Sequence, residues 1–351
     1  MRFCQPFRQL LPLLGLVVVA CADTTDPLPP ADEVLLVVNS TEASLSIVPV
    51  ESPGTAVTVP LGGTTPTPVN VAARDGIAIV PLGLDNSAAI VDLRAAQVVN
   101  TINLPAGSGA TGAAIINDSI AYVANPNLNT VTRIHLRTGD TASVRVGIYP
   151  QGMVFTRGRL FVLNGNLVNF SPAGSSWITV IDPVTNAKAT GIDSIPLPGP
   201  GNAGFADVAS DGLIYVMSSG SFTGGEGRLH IVDPVGRAEV ANFGGFGVAP
   251  GAIAADGGER LFVSSFAEGL MEFNTRTRTV TLGAGNGVSI PGNSAVEVDD
   301  SGRIYAISTG PCQGGQVGTA HVLRFNLTER TAINLGECAI FAAISLIPPE
   351  D

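Results

Sequence analysis

The side chains best suited to acid–base or metal chemistry are few and far apart in this 351-residue chain. Its three histidines, His135, His230 and His321, fall in different repeats of the sequence. None has a His, Cys or acid at the spacing of a metal-ligand motif. They read as partly exposed strand residues. Asp207, Glu297, Asp299 and Asp300 lie near candidate inner strands and offer the oxygen ligands a hard divalent cation takes. Nothing in the sequence shows that two of them face one point, and Asp299 and Asp300 with Ser301 and Gly302 also read as an ordinary turn. A serine nucleophile needs a base within hydrogen-bond reach, and no G-x-S-x-G motif occurs. The Gly-rich stretches 220–227 and 245–252 lack the strand–loop–helix context of a phosphate cradle. The expectation is no catalytic residue, no metal ligand and no cofactor, with enzymatic activity disfavoured.

The four cysteines divide by position. Arg2 and Arg8 form a positive start, and residues 10–20 are an apolar run of signal-peptide length. That run is too short for a membrane-spanning helix, which needs about 20 apolar residues. Cys4 lies in this segment and leaves with it. Val18, Val19, Ala20 and Cys21 resemble the lipobox of bacterial lipoproteins. The resemblance implies that the Cys21 thiol is acylated and becomes the mature N-terminus. Ala22 after it favours the outer membrane by the same analogy. Residues 21–31 then read as the acylated Cys and a Pro-rich extended tether. Cys312 and Cys338 remain, an even pair in an oxidising compartment, which predicts a disulfide. Two buried free thiols are the alternative.

Composition points to an all-β fold. Gly (42) and Pro (25) are abundant, and short aliphatic runs alternate with Gly, Pro, Asn and Asp. No stretch carries the i, i+3, i+4, i+7 apolar pattern of a helix. The net charge is −11 for the whole chain, and losing residues 1–20 removes two arginines and no acid, leaving −13. Such a chain is repelled by nucleic acid, whose binding depends on Lys and Arg. It also avoids bare anionic lipid, so membrane contact is expected only through the lipid anchor.

Self-similarity carries the most information. LVVN (36–39), AIVP (78–81), YVAN (122–125), FVLN (161–164), YVMS (215–218), FVSS (262–265) and YAIS (305–308) recur every 39 to 54 residues. After the first, each is preceded by a small-residue strand and tight turn, as in 69–76, 252–259 and 296–302. Each is followed by a third strand (88–93, 131–136, 178–183, 229–234, 270–275 and 322–327) and then a fourth. Seven repeats of four antiparallel strands predict a seven-bladed β-propeller over residues 32–351. The ends are out of phase. The first repeat begins at its second strand, 34–39, and an orphan strand, 341–347, follows the last. The orphan is predicted to supply the missing inner strand of blade one and so close the ring, which hides the edges of an open array.

GIYPQGMVF (147–155), ASDGLIYV (209–216), YVAN (122–125) and VIDPVT (180–185) resemble the YVTN β-propeller repeats of bacterial and archaeal surface and periplasmic proteins. The resemblance spans about residues 32–347 and is degenerate, with Pro81 departing from the name motif. It implies the fold, not a function. Asp75-Gly76 and Asp211-Gly212 read as hairpin turns. Asp182-Pro183 and Asp233-Pro234 read as strand ends.

Long loops on a rigid scaffold concentrate recognition. Loops 164–176, 218–227 and 309–318 all join second to third strands and are predicted to emerge on one face. Asn166, Asn169, Phe170 and Phe222 are the candidate contacts. The expected protein is a monomeric, non-catalytic cell-envelope lipoprotein, whose propeller is a binding scaffold for a protein or glycan partner. The alternatives are a propeller hydrolase of lactonase type with a channel-mouth metal site, and a surface-layer or adhesion component.

Overall fold

The structure is a computed structural model, and it describes residues 31–349. The expected signal peptide (1–20), Cys21 and nearly all of the tether lie outside the described residues.

The second strand of each repeat is the most buried element. Val37, Val123, Val162, Val216, Val263 and Ile307 are fully buried, with both faces of the strand packed between neighbouring blades. Such strands read as continuous apolar runs rather than alternating ones. Tyr122, Tyr215 and Tyr305 fill the gap between blades with whole rings. Their hydroxyls reach Asn186, Asp211 and Asp299 in the turns below, as a buried tyrosine requires. Phe161 and Phe262 fill the equivalent space in blades four and six.

The asparagine that ends this strand in blades one, three and four has a separate task. Nδ2 of Asn39 donates to Ser44 and Ser46, and that of Asn125 to Thr130 and Thr132. Asn164 donates to the Trp177 carbonyl and to Thr179, and accepts from the Gly147 amide. Each carboxamide ties the second strand to the third where the chain turns. This gives the Y-V-x-N pattern a mechanical meaning: an aromatic wedge low in the blade and a polar clasp at its upper end.

The strands form seven antiparallel sheets arranged as blades. In blades two, three, five, six and seven the order is sequential from the inside outwards. Blade four has a divided outer edge, with Ala187–Lys188 and Ser194–Leu197 both pairing Ser176–Asp182. The inner strands touch in cyclic order, from Ala72–Arg74 through Ala113–Asn117, Pro150–Thr156, Ala203–Val208, Pro250–Ala255 and Asn293–Val298 to Ala339–Ile347, which returns to the first. Ala339–Ile347 also pairs antiparallel with Asp32–Asn39 along its whole length, from Asp32 opposite Ile347 to Asn39 opposite Ala339. The two chain ends therefore share blade one and close the ring, as the phase shift predicts.

The loops lie on two faces. The upper face holds the loops between second and third strands and the connections from one blade to the next. The lower face holds the remaining turns and the start of the first described strand at Asp32. Asp75 and Gly76, with φ of 47° and 82°, form one lower turn, and the Asp182 and Asp233 carboxylates accept from the amides of Val184 and Val235 two residues on. The third strand of blade seven runs Val317–Leu323, earlier than the expected 322–327. Residues after Leu323 turn instead, with the Leu327 amide closing onto the Arg324 carbonyl.

Candidate recognition face and central channel

The inner strands enclose a channel cavity of about 160 Å³. Phe205 and Phe341 stack across it with centroids 6.4 Å apart. Asp207, from blade five, and Glu297, from blade seven, line the same cavity. Both side chains are half-buried and keep water contact through the channel. Burial raises the Asp207 pKa, against hydrogen bonds from the Ala255 and Val208 amides that favour the anion. Burial raises that of Glu297 well above the ordinary carboxylate value, and the charge of Asp207 raises it further. No hydrogen bond reaches the Glu297 carboxyl among the described residues.

Of the four acids singled out from the sequence, these two share a site and the others do not. Asp299 is buried in a turn, where it accepts from Ser301, Arg303 and Tyr305. Burial acts to raise its pKa, but these bonds outweigh it and hold the group below its usual range. Asp300 is exposed on the lower face. Among the described residues, no three His, Cys, Asp or Glu side chains come together as a ligand set.

The histidines need a correction. His230 is fully buried, not partly exposed. Its Nε2 meets Ser218 Oγ at 3.0 Å and its Nδ1 meets Glu239 at 2.7 Å. Burial lowers its pKa, against the pull of Glu239. His321 is half-buried and bridges Ser308 and Glu329. In register, His230 and His321 stand where Thr132 and Thr179 stand in blades three and four, opposite the second strand two residues before its end. They are members of the polar clasp.

On the upper face, loops from two blades come together. Phe170, from blade four, and Phe222, from blade five, line one groove of about 440 Å³ with Pro172, Pro200 and Glu226. Their rings are 71% and 56% exposed. Loop 164–176 contains a small hairpin of its own, Leu167–Val168 paired with Ser171–Pro172. Asn169 and Phe170 form its tip. Asn166 is not a free contact: its Nδ2 donates to the Ser175 carbonyl, and its own carbonyl accepts from Ala173. Phe266, in the matching loop of blade six, adds a third exposed ring, an aromatic that the sequence reading missed. Its place directly after the second strand was the available signal.

Cys312 and Cys338 are joined in a disulfide. It fastens the blade-seven upper loop to the residue that precedes the ring-closing strand.

No family model and no curated protein matches the chain. Among solved structures it is similar to one described as Kuenenia stuttgartiensis hydrazine synthase. The TM-score is 0.65, over 83% of this chain and 95% of that chain, at 15% identity. That likeness shows the propeller fold and nothing of function.

Proposed function

We propose that the protein is a lipid-anchored binding scaffold of the cell envelope, held through Cys21 and presenting its upper face to a protein or glycan partner. Its repeats are read as members of the YVTN propeller group. The observation that carries the proposal is the groove that the loops of blades four and five form together, on the face opposite Asp32. A tether entering at the lower face points that groove away from the membrane. Exposed aromatic rings are the anchors interfaces favour.

Two experiments test this. Replacing Cys21 by Ala should move the protein from the membrane to the soluble fraction. A photo-crosslinking residue at Phe222 should capture a partner in cells, while the same residue at Val235, exposed on the lower face, should not. Capture from both positions alike sinks the assignment of the upper face.

The hydrolase reading draws on one observation, the placing of Glu297, whose pKa burial pushes well up, beside Asp207 in the channel. Environments that separate the pKa values of two carboxyls suit acid–base chemistry. The Phe205–Phe341 stack leaves little room for a substrate beside them, and the scaffold reading is preferred.

A further inference from the structure

The tip of the small hairpin is built against its own backbone preference. A two-residue antiparallel turn with both central residues at positive φ is of the type that selects Asn followed by Gly. Asn169, at φ 50°, fits. The second position, at φ 61°, is Phe170, a bulky residue in a region sterically open to Gly. Its ring is exposed, touched edge-on by Tyr149 at 6.1 Å. Packing does not account for Phe at this place. A strained residue that holds an aromatic ring in solvent points to recognition.

The groove also has a sign. Glu226 forms its rim and accepts from both the amide and the hydroxyl of Ser221. These bonds lower its pKa and keep it ionised. The same holds across the face. Upper loops and their strand edges carry Glu42, Asp85, Glu226, Glu268 and Glu337, while the loops contain no Lys or Arg. Glu42, Asp85 and Glu268, like Glu226, accept from backbone amides, and among the described residues none of the five is in an ion pair. Arg145 and Arg228 come nearest, at strand ends, and Arg228 is turned to Asn242. The lower face is different: Arg94, Arg157, Arg237, Arg276, Arg303 and Arg324 lie in its loops, where Arg276 is paired with Glu259 and Arg303 with Glu51 and Asp299.

We propose that the groove between blades four and five binds a lysine or arginine side chain in a basic segment of a partner protein. The cationic head lies over the faces of Phe170 and Phe222 and pairs with Glu226. Pro172 and Pro200 receive the apolar stem. The mainly acidic upper face attracts the rest of the segment. This rests on the upper face being the recognition surface and specifies its partner.

The test uses the full protein in detergent and three fluorescent probes: a lysine–leucine decapeptide, its glutamate–leucine counterpart and a neutral hexasaccharide. The lysine peptide alone should bind, with affinity falling as salt is raised. Phe222→Ser and Phe170→Gly should each weaken it by about tenfold or more, and Glu226→Gln by less. Val235→Ser, on the lower face, should leave binding unchanged. Phe170→Gly should melt at or above the temperature of the unaltered protein, since Gly relieves the turn. Phe222→Ser gives an independent reading at a site without turn strain. Failure of the lysine peptide to bind, or equal binding of the glutamate peptide, overturns the proposal. If instead the saccharide binds and Phe222→Ser abolishes it, the upper face remains the recognition surface and only the cationic partner is refuted. Lysine-peptide binding lost on lower-face substitution alone refutes both.

Discussion

Glu297 on the inner strand of blade seven and Asp207 on the inner strand of blade five face one channel, and the charge of Asp207 acts on Glu297 across it. The two are not equivalent. Asp207 accepts two backbone amides, which stabilise its anion. Glu297 has no such bonds, so burial and the charge of Asp207 push its pKa well up. Like charges in a shared, poorly solvated site cannot both ionise cheaply.

This arrangement makes stability fall with rising pH. A carboxyl whose folded-state pKa lies above its unfolded value stabilises the fold fully below the unfolded pKa. That contribution is lost as pH rises through the folded pKa. Glu297→Gln keeps the shape and removes the titration. It should melt close to the unaltered protein at pH 4 and above it at pH 9. Thermal melts across that range decide the matter, and parallel curves for the two proteins would exclude Glu297 as the cause.

His230 acts in the opposite direction. Its lowered pKa means that its contribution is present above the unfolded value of 6.5 and is lost as pH falls. His230→Thr installs the residue type that Thr132 and Thr179 supply in the same register. The variant should lose the acid-side decline in stability, at the cost of a cavity of a few kcal/mol at neutral pH. An unchanged slope between pH 7 and pH 5 would show that His230 takes up its proton alike in the folded and unfolded chain, against a lowered pKa.

The Asn164 clasp should be costly to remove. Asn164→Ala leaves the Gly147 amide and the Thr179 hydroxyl without this partner in a fully buried position. Stranding buried polar groups costs about 1–3 kcal/mol each. With two groups stranded, denaturant unfolding should show a loss of about 2 kcal/mol or more, and a change below about 0.5 kcal/mol, the usual span of inert surface substitutions, would refute the clasp.

The architecture was legible because each blade repeats a local code. The second strands, the lower turns at Asp75 and Asp182 and the missing first strand of blade one were all visible in the chain. So were the second-to-third-strand loops that carry Phe170 and Phe222, though not the groove those residues share. The burial of His230 was not legible. It depends on Glu239 one strand outward and on the neighbouring blade, and no local pattern encodes those. The same reason hid the grouping of Asp207 with Glu297, which lie 90 positions apart in the chain. It also hid the separation of Asp299, only two residues from Glu297 yet tied to Arg303 and Tyr305. The identity of a strand follows from its own residues, whereas the company of a side chain in a ring follows from the closure.

The disulfide should matter for stability more than for shape. Cys312 and Cys338 are 26 positions apart. Closing a loop of that length stabilises by about 3 kcal/mol on the chain-entropy account. Replacing both by Ser should lower the unfolding free energy by that order while leaving the far-ultraviolet circular dichroism unchanged. A loss of β signal would mean that the bridge is needed to form blade seven.

Ring closure rests on hydrogen bonds rather than on a covalent link, and this can be tested directly. Ending the chain after Cys338 keeps the disulfide but removes Ala339–Ile347. It leaves Asp32–Asn39 as an open edge and uncovers Val37 and Val38, both fully buried in the closed ring. Exposed apolar edges pair with other chains, so the shortened protein should aggregate or lose its cooperative melt. A circular permutant that joins residue 348 to residue 32 and opens the connection 244–249 should keep both, because Asp32 and Ile347 are paired neighbours at the lower face. If the truncated protein remains monomeric with an unchanged melt, the closing strand is dispensable. If the permutant fails while expressing intact, the order in which the ends arrive matters for folding, not only their final pairing.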